Sequence, residues 1–542
     1  MNDPRDEARN PYERRLMLTR EQLLKGAAGA AAGFSVLGLA ACGGDDETTG
    51  GGGGGGQTTA EGEPRRGGIL QIAISDTGGP KESLDPAVQT NVNDGVYTDL
   101  LYDALTVADE NFEVHPVLAE SWEANDDVTE WTFNLRQGVT WHDGKPFTSK
   151  DVAFTIGRQL DEKLGSGIYD RLSQSLERDG IQMPDDNTLV LKLKRADSLI
   201  PLTLSARQAR IVQDGTTDFS KGIGTGAFKL KSFRPARSWE VERNEKYWDE
   251  GVPYLDGIRG VIITEQSTKV QSVVSGQSHV SDNIDFSAAA TVKGNQNVQL
   301  LEFKNATYLL VAMDSSKEPF DDERVRMALK IAVDRDQVVQ TAYQGYGEVT
   351  SDVPVPSTDP FFPEEVGVRE QNIEEAKKLL SDAGYPNGID VELITSQAYG
   401  AMVDLAVAYG QVVEPAGIRV KIKQWPADTF WDQVWLVKPM YTSYYTRRHP
   451  NEALSITYTT SAPWNESKLK SKELDDLVAK GLATTDDEEQ KQAYKDALTI
   501  VANEAGTAIP AFINRLHVAK KNVQGIELGH QTSVLMKKAY LT

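Results

Sequence analysis

Cysteine and histidine are scarce in this chain of 542 residues, which has one cysteine, Cys42, and six histidines. A single thiol cannot form an intrachain disulfide, and it cannot build a cysteine-based zinc or iron–sulfur site. The histidines are scattered, and no His-Glu-x-x-His pattern occurs. We therefore expect neither a metal nor another cofactor, and a fold that is held together by packing alone.

Positive charge is also in short supply. The chain has 57 Lys+Arg against 80 Asp+Glu, a formal net charge of −23, and no basic cluster that is interleaved with aromatic residues. A polymer of phosphates is repelled by such a charge. We therefore expect no nucleic-acid partner.

Signals for catalysis are missing as well. The sequence has no Gly-x-Ser-x-Gly elbow with identifiable partners, and the carboxylate pairs Asp126-Asp127 and Asp185-Asp186 lie in polar turns. The sequence therefore predicts a protein that is not an enzyme.

Long apolar runs are absent, and the best candidate for a membrane span is the weakly apolar segment 26–41. Its sixteen residues fall short of the about 20 that a transmembrane helix needs. Arginine and lysine residues precede it, among them Arg14 and Arg15. This layout is typical of a signal peptide, so we predict that residues 1–41 are removed after export. The Arg14-Arg15 pair leaves both the twin-arginine and the general secretory route open.

The signal segment ends in Leu39-Ala40-Ala41-Cys42, which resembles the bacterial lipobox. In that motif the cysteine is lipidated and becomes the mature N-terminus. We predict that residues 42–63 are a lipidated N-terminus and a glycine-rich linker, whose run of glycines from Gly50 to Gly56 behaves as a flexible coil. The protein would then be exported and anchored, as a lipoprotein, to the outer face of the cell membrane or in the periplasm.

The rest of the chain has the patterns of a mixed α/β fold. Strands are predicted where apolar and polar residues alternate, at 131–136, 189–193, 228–230, 239–242 and 420–423. A helix is predicted after Asp321-Asp322, and a second one begins at Asn372, with Glu375 three residues later, and stops at Gly384.

Two motifs that could suggest chemistry are better explained as turns. The glycines of Gly222–Gly226 precede a predicted strand, whereas a phosphate-binding loop needs a helix directly after it. His142-Asp143 lies in a stretch that ends in Gly144-Lys145-Pro146, which favours a turn over a metal or proton relay.

Aromatic residues are concentrated in one C-terminal stretch, where two arginines follow them. Such side chains offer a ligand a large contact area and have few rotatable bonds, and an adjacent arginine can bind a carboxylate through two hydrogen bonds. Some of them can equally be core, since Trp431 and Trp435 are one helical turn apart. The candidate ligand-binding residues of this stretch are Trp431, Trp435, Tyr444, Tyr445, Arg447 and Arg448.

Six stretches of the chain match one known family in order and spacing. They are LAESW (118–122), WTFNLRQGVTWHDGKPFTSKDVAF (131–154), GTGAFKLKSF (224–233), RNEKYW (243–248), FDDERVRMALKIAVDRD (320–336) and EEAKKLLSDAGYP (374–386). Together they resemble the family-5 extracytoplasmic solute-binding proteins, the oligopeptide, dipeptide and nickel receptors of ABC importers. The match extends over nearly the whole mature chain.

The resemblance implies an α/β fold of the two-lobed periplasmic-binding-protein class, type II-like, with an additional domain inserted in the first lobe. Lobe one would comprise residues 64–112, 224–305 and 510–542, the inserted domain 113–223, and lobe two 306–509. A monomer of this kind encloses a small solute or peptide between hinged lobes and delivers it to the ABC permease, which works with a cytoplasmic ATPase.

The resemblance also adds pocket residues from other parts of the chain, namely Thr90, Asn91, Asn283, Asp285 and Tyr308. In peptide-binding relatives, an acidic residue in a tryptophan-containing stretch of lobe two pairs with the α-ammonium of the peptide. This sequence has Tyr444–Pro450 there, with no acidic residue. The solute can therefore be a peptide or another polar or anionic compound, whose charge would face Arg447 or Arg448.

Two other functions remain open from the sequence. A lipid-anchored extracellular hydrolase of peptides or glycans would use a pair of carboxylates. A solute sensor without transport would have the same fold as an import receptor.

Overall fold

The computed structural model describes residues 64–75, 82–89, 92–528 and 534–542. Residues 1–63 with Cys42, and the candidate pocket residues Thr90 and Asn91, lie outside the described residues. Three large hydrophobic cores are present, with Ile72 in the first, Phe133 in the second and Leu393 in the third. Three bodies therefore pack around separate cores, and the two that contain Ile72 and Leu393 are called lobe one and lobe two below.

One sheet of 12 strands runs through both lobes. Ten strands follow one another in the order Ile418–Trp425, Ile389–Ser396, Met440–Thr446, Val298–Met313, Ala511–Lys520, Val280–Ile284, Ile69–Ile74, Gly257–Ile262, Ser238–Arg243 and Phe228–Arg234. The two remaining strands, Gly347–Val349 and Thr507–Ala508, pair with Ala511–Lys520 and Val298–Met313 respectively.

The strand Val298–Met313, with 16 residues, joins the two lobes. Its first half pairs with Ala511–Lys520, and its second half pairs with Met440–Thr446. Between the halves, the register with Ala511–Lys520 shifts, and Asn305 has a left-handed backbone with φ of 55°. The lobes are thus connected through a continuous strand with an irregularity at Asn305.

Parallel strands form the centre of each lobe. In lobe one, Ile69–Ile74 lies between Gly257–Ile262 and Val280–Ile284 and is parallel to both. In lobe two, Ile389–Ser396 is parallel to Ile418–Trp425 and to Met440–Thr446. Ligands of such sheets bind beyond the carboxyl ends of the strands.

The second core belongs to an antiparallel sheet of four strands. Their order is Ala119–Ala124, Glu130–Leu135, Thr188–Leu193 and Leu176–Asp185, with the helix Ser149–Gln159 against the last of them. Trp131, Phe133 and Leu135 are buried, which confirms the predicted alternation in this strand.

Fourteen α-helices lie in the described residues: Val92–Leu101, Ser149–Gln159, Tyr169–Ser175, Ile200–Thr203, Gln266–Ser275, Phe286–Val292, Glu323–Ile331, Arg335–Ala342, Ile373–Asp382, Met402–Val413, Phe430–Gln433, Pro450–Thr457, Lys472–Leu482 and Asp487–Glu504. Short 3-10 helices occupy Pro86–Val88, Glu162–Leu164, Arg207–Ala209 and Glu414–Ala416. Three strand pairs complete the fold: Thr106–Ala108 with Val114–Pro116, Val523–Gln524 with Tyr540–Leu541, and Glu527–Leu528 with Val534–Leu535. Among the described helices, none combines the length and the apolar character that crossing a membrane requires.

Both helix starts that the sequence predicts are confirmed. The helix Glu323–Ile331 begins after Asp322, whose carboxylate accepts a hydrogen bond from the Arg324 backbone N–H. The helix Ile373–Asp382 begins after Asn372, whose side-chain oxygen accepts from the Glu375 N–H at 3.0 Å. In each case a short polar side chain satisfies a backbone donor that the helix itself leaves open.

The two turn motifs meet each other in the fold. The Gly224 N–H donates to Nδ1 of His142 at 3.1 Å, while Nε2 of His142 lies 3.0 Å from the Gly226 carbonyl oxygen. A Cβ atom at Gly224 would come within 1.8 Å of the Leu101 carbonyl oxygen, so only glycine fits there. Burial lowers the pKa of His142, which favours the neutral ring. The turn interpretation of both motifs is confirmed, because the histidine holds the glycine loop in place.

Candidate functional site

The two sets of parallel strands point their carboxyl ends at each other. In lobe two, Met440–Thr446 ends beside Thr307, at the beginning of the lobe-two half of the connecting strand. In lobe one, Val280–Ile284 ends beside Leu516, on the side of Ala511–Lys520 that continues toward lobe two. The space between the lobes is therefore lined by the residues that follow these strands, and we call it the cleft.

Five half-buried aromatic side chains lie close together at the carboxyl ends of the lobe-two strands and in the loops beside them, and we call them the aromatic wall. They are Tyr399, Trp431, Trp435, Tyr444 and Trp464. The rings of Tyr399 and Tyr444 are stacked with centroids 3.6 Å apart. Trp431 contacts Tyr444 edge-on at 5.7 Å, and Trp435 contacts both Trp431 and Trp464 at 6.2 Å. The wall offers a solute a broad apolar and polarisable surface.

Three polar side chains lie buried directly behind this wall: Ser443, Tyr445 and Glu466. The Tyr445 ring is stacked on the ring of Trp464 with centroids 5.9 Å apart. Burial raises the pKa of the Glu466 carboxyl to about 7, although Ser443, Trp435 and Tyr445 direct donors toward it. Within the described residues, Oε1 of Glu466 nevertheless has no hydrogen bond of normal geometry.

Trp431, Trp435 and Tyr444 are predicted pocket residues, and all three lie in the aromatic wall. Tyr399, Trp464 and Glu466 are not among the residues predicted from the sequence. Tyr399 and Trp464 lie outside the aromatic stretch along the chain, and nothing in the neighbourhood of Glu466 in the sequence marks it as buried. The alternation of apolar and polar residues at 389–393 would have indicated the strand that Tyr399 follows.

The candidate arginines both have partners in the protein. Arg447 pairs with Asp359 at 2.7 Å, donates to the Glu110 carbonyl oxygen at 2.8 Å and lies 5.2 Å from the Phe112 ring centroid. Arg448 pairs with Glu452 at 3.1 Å, and its guanidinium carbon lies 5.7 Å from the Trp464 ring centroid. Arg447 thus connects lobe two to the turn between Thr106–Ala108 and Val114–Pro116.

On the lobe-one side, Asn283 is fixed by three contacts and has a left-handed backbone with φ of 36°. Its N–H donates to Nδ1 of His517 at 3.1 Å, its side-chain oxygen accepts from Arg515 at 3.1 Å, and its carbonyl oxygen accepts from the Lys269 ammonium at 3.0 Å. Residues other than glycine rarely adopt such a backbone conformation, so these contacts are needed to hold Asn283 in it.

The other candidate residues have roles in the fold, as a helix cap or in the core. Asp285 caps the helix Phe286–Val292 by accepting from the Ala288 N–H at 2.6 Å. Tyr308 is buried in the core with 1% exposed, and it packs on Tyr445 and Phe512 with centroids 5.7 and 5.0 Å away. Tyr445 is buried too, with 7% exposed. Tyr308 and Tyr445 therefore support the wall from behind.

One group of potential metal ligands occurs away from the wall, at Asp109, Glu113 and His115. The Asp109 carboxylate accepts from the Asn111 and Glu113 N–H groups, at 2.8 and 3.0 Å, and from His115 at 3.1 Å. These bonds close a turn between two short strands, which explains the grouping without an ion.

Comparison with known proteins agrees with this architecture. The family model for bacterial extracellular solute-binding proteins, family 5 (middle region), matches residues 113–467. Heme-binding protein A of Haemophilus influenzae is 27% identical over 430 residues, which cover 72% of this chain and 78% of the relative. The glutathione-binding protein GsiB of Escherichia coli is 24% identical over 478 residues, which cover 85% of this chain and 92% of the relative.

Solved structures show the same two-lobed fold. The ABC transporter substrate-binding protein CtaP of Listeria monocytogenes aligns with a TM-score of 0.78 at 22% identity, covering 88% of this chain and 100% of that one. The periplasmic binding protein DppA of Helicobacter pylori, in complex with the peptide STSA, aligns with a TM-score of 0.71 at 23% identity, covering 88% and 98%. The family model spans more than half of the sequence, so this chain belongs to the family-5 bacterial extracellular solute-binding proteins.

Proposed function

We propose that this protein captures a small solute between its two lobes, outside the cell, and delivers it to the permease of an ABC importer. The observation that carries the proposal is the facing arrangement of the parallel strands, with the aromatic wall on one side of the cleft. The names of the relatives mention heme, glutathione and a peptide, and heme shares little chemistry with glutathione, which is itself a tripeptide, or with the peptide. These names therefore do not define one class of solute for this chain.

The three cores support the domain division that the family implies. We propose lobe one at residues 64–112, 224–305 and 510–542, the inserted domain at 113–223, and lobe two at 306–509. A hinged receptor closes because its ligand contacts both lobes only in the closed state, so the ligand shifts the population toward that state. We propose that the protein acts as a monomer and that the permease recognises the closed form.

Closure gives the proposal a direct test. We expect the purified protein to have a smaller radius of gyration when saturated with its solute than when empty, measured by small-angle X-ray scattering. Native mass spectrometry of the protein purified from its own host would identify a co-purified solute for this experiment. An unchanged radius at saturation would contradict the hinge mechanism, and uptake that persists after deletion of the gene would favour a sensor over a transporter.

We further propose that Cys42 carries the lipid anchor, because it is the sole cysteine and follows Leu39-Ala40-Ala41. Two or more acyl chains attach a protein stably to a membrane, whereas one chain does not. We expect Cys42→Ser to move the protein from the membrane pellet to the soluble fraction after a salt wash, as followed by immunoblotting. Wild-type protein treated identically is the control, and quantitative retention of the variant in the pellet would contradict the anchor.

A further inference from the structure

The body around the core that contains Phe133 makes direct contacts with lobe two. This core draws its residues from the range 105–211, and we call the body the Phe133 body. The Ser198 N–H donates to the Leu482 carbonyl oxygen at 2.9 Å, and Nε2 of Gln490 donates to Oγ of Ser198 at 3.0 Å. Segments that are 292 residues apart in the chain are thus joined by hydrogen bonds.

An ion pair connects the same two bodies. NH1 of Arg171 lies 3.5 Å from Oε2 of Glu452, and the two side chains are 23% and 24% exposed. Leu172, the residue after Arg171, belongs to the core of the Phe133 body. Glu452 lies in the first turn of the helix Pro450–Thr457, which follows the last strand of the lobe-two sheet. The pair therefore attracts the Phe133 body to lobe two by opposite charge.

Apolar side chains complete this contact. Leu482 is half-buried and packs against a small cluster of buried residues that includes Leu199 and Leu202. Leu199 directly follows Ser198, so the apolar packing and the hydrogen bonds occur at the same place. We call this set of contacts the clasp, and its residues are Arg171, Ser198, Leu199 and Leu202 on one side and Glu452, Leu482 and Gln490 on the other.

The lobe-two side of the clasp is firmly attached to lobe two. Gln490 lies in the helix Asp487–Glu504, and near the other end of this helix the Ala502 carbonyl oxygen accepts a hydrogen bond from Lys330 at 2.9 Å. Leu329, the residue before Lys330, belongs to the core of lobe two. The helix that carries Gln490 therefore follows any movement of lobe two.

The Phe133 body is attached to lobe one instead. Both of its chain connections lead there, since Tyr102 precedes the body, Val212 follows it, and both residues belong to the core of lobe one. Arg158 of the body also pairs with Asp85 through two hydrogen bonds of 3.2 and 2.5 Å, in surroundings that are largely buried. A buried bidentate pair is costly to separate. The clasp thus lies between the two parts of the protein that a hinge motion would move apart.

We propose that the clasp is a latch for closure, which forms in the closed protein and breaks in the open one, and which does not contact the solute. This inference rests on the proposed function, because it assumes that the two lobes close on a solute. Contacts that exist in one of two states shift the population toward that state. Since the solute binds the closed state more tightly, a larger closed fraction raises its apparent affinity. The Phe133 body thus sets the affinity from outside the cleft.

Two variants that act on the clasp in opposite directions test the latch without any solute. Ser198→Cys with Ala483→Cys joins the two sides by oxidation or with a short bismaleimide, because the hydrogen bond between Ser198 and Leu482 brings the chains within the Cα separation that a disulfide spans. Arg171→Glu weakens the clasp, because it places a carboxylate opposite Glu452.

The measurement is the radius of gyration by small-angle X-ray scattering. All proteins carry Cys42→Ser, which removes the native thiol, and they are refolded from urea to release any bound solute. We expect the joined double-cysteine variant to have the smallest radius and Arg171→Glu the largest, whereas the reduced double-cysteine variant should match the reference protein. Adding Glu452→Arg to Arg171→Glu should restore the attraction and return the radius toward that of the reference.

The matched control is Lys194→Glu, which makes the same change of charge in the Phe133 body at an exposed pair with Glu177, 3.4 Å apart. Its radius should equal that of the reference. Equal radii for the joined variant and Arg171→Glu would overturn the latch, since the clasp would then not distinguish the open from the closed protein. If urea denaturation shows that Arg171→Glu is unfolded, Arg171→Ala replaces it in this comparison.

Failure of the latch is distinguishable from failure of the proposed function. Compaction of the reference protein by its co-purified solute is measured separately, and it does not depend on the clasp variants. Compaction by the solute together with equal radii of the clasp variants would leave the proposed function intact and overturn the latch.

Discussion

Asp352→Ala is expected to lower the free energy of unfolding by about 3–5 kcal/mol, because it removes one partner from a buried ionic cluster. The Asp352 carboxylate pairs with Arg335 and Arg369, both at 2.8 Å, and its other oxygen accepts from the Ile509 N–H at 3.0 Å. Asp352 is 1% exposed at the side chain and Arg335 is 2% exposed. Without the aspartate, two guanidinium groups stay buried with no charge to balance them.

Lys330 makes this ionic cluster more sensitive to the loss of Asp352. Its ammonium group is fully buried and donates to the Ala502 carbonyl oxygen at 2.9 Å. Burial lowers the pKa of Lys330 to about 7, and the field of Asp352 opposes that shift. Loss of Asp352 removes this support and leaves the ammonium among the arginines, so the pKa of Lys330 falls further and the ammonium is deprotonated more easily.

Urea denaturation at pH 7 measures the effect. The control is Asp390→Ala, which removes an equally well-aligned pair, since Asp390 contacts Arg419 through both oxygens at 2.8 Å. That pair is exposed and should contribute only about 0–1 kcal/mol. Equal losses in the two variants would contradict the burial argument.

Arg447→Ala is expected to cost about 3–5 kcal/mol of unfolding free energy, because it leaves the Asp359 carboxylate buried and unpaired. Asp359 is 2% exposed at the side chain, and Arg447 is 13% exposed. The variant also loses the hydrogen bond to the Glu110 carbonyl oxygen, which links lobe two to the turn between Thr106–Ala108 and Val114–Pro116.

Arg448→Ala is the matched control, because it removes the adjacent arginine and its half-buried i,i+4 pair with Glu452. We expect a loss of about 0–1 kcal/mol from that variant. Urea denaturation of the empty protein and calorimetric titration with the identified solute distinguish two roles for Arg447. If Arg447→Ala leaves unfolding unchanged but lowers solute affinity by about 2–5 kcal/mol, the arginine clamps a solute anion as the sequence suggests.

The sequence predicts those features of the fold that depend on residues close together in the chain. The caps at Asp322 and Asn372 and the alternation at Trp131, Phe133 and Leu135 depend on neighbouring residues, and all were predicted. The turn at His142 was predicted too, but not its contact with Gly224, 82 residues away. The family resemblance supplied the two-lobed fold, which local patterns cannot give.

The site was harder to predict for the same reason. Composition marked the aromatic stretch, and three of its residues lie in the wall. The partner of Arg447, however, is Asp359, 88 residues earlier, so no local pattern indicates that this arginine is engaged. Glu466 is equally hidden, because its burial results from packing against Ser443, Tyr445 and the tryptophans rather than from apolar neighbours in sequence.

The position of the strand Ala511–Lys520 has a consequence for the order of folding. This strand lies in the middle of the large sheet, between Val298–Met313 and Val280–Ile284, yet it follows both of them at a great distance in the chain. Pairings between residues so distant in the chain form slowly, since the loop-closure entropy is lost before the contacts stabilise the sheet. The large sheet thus cannot be completed until Ala511–Lys520 has found its two neighbours, so the connection between the lobes forms late in folding.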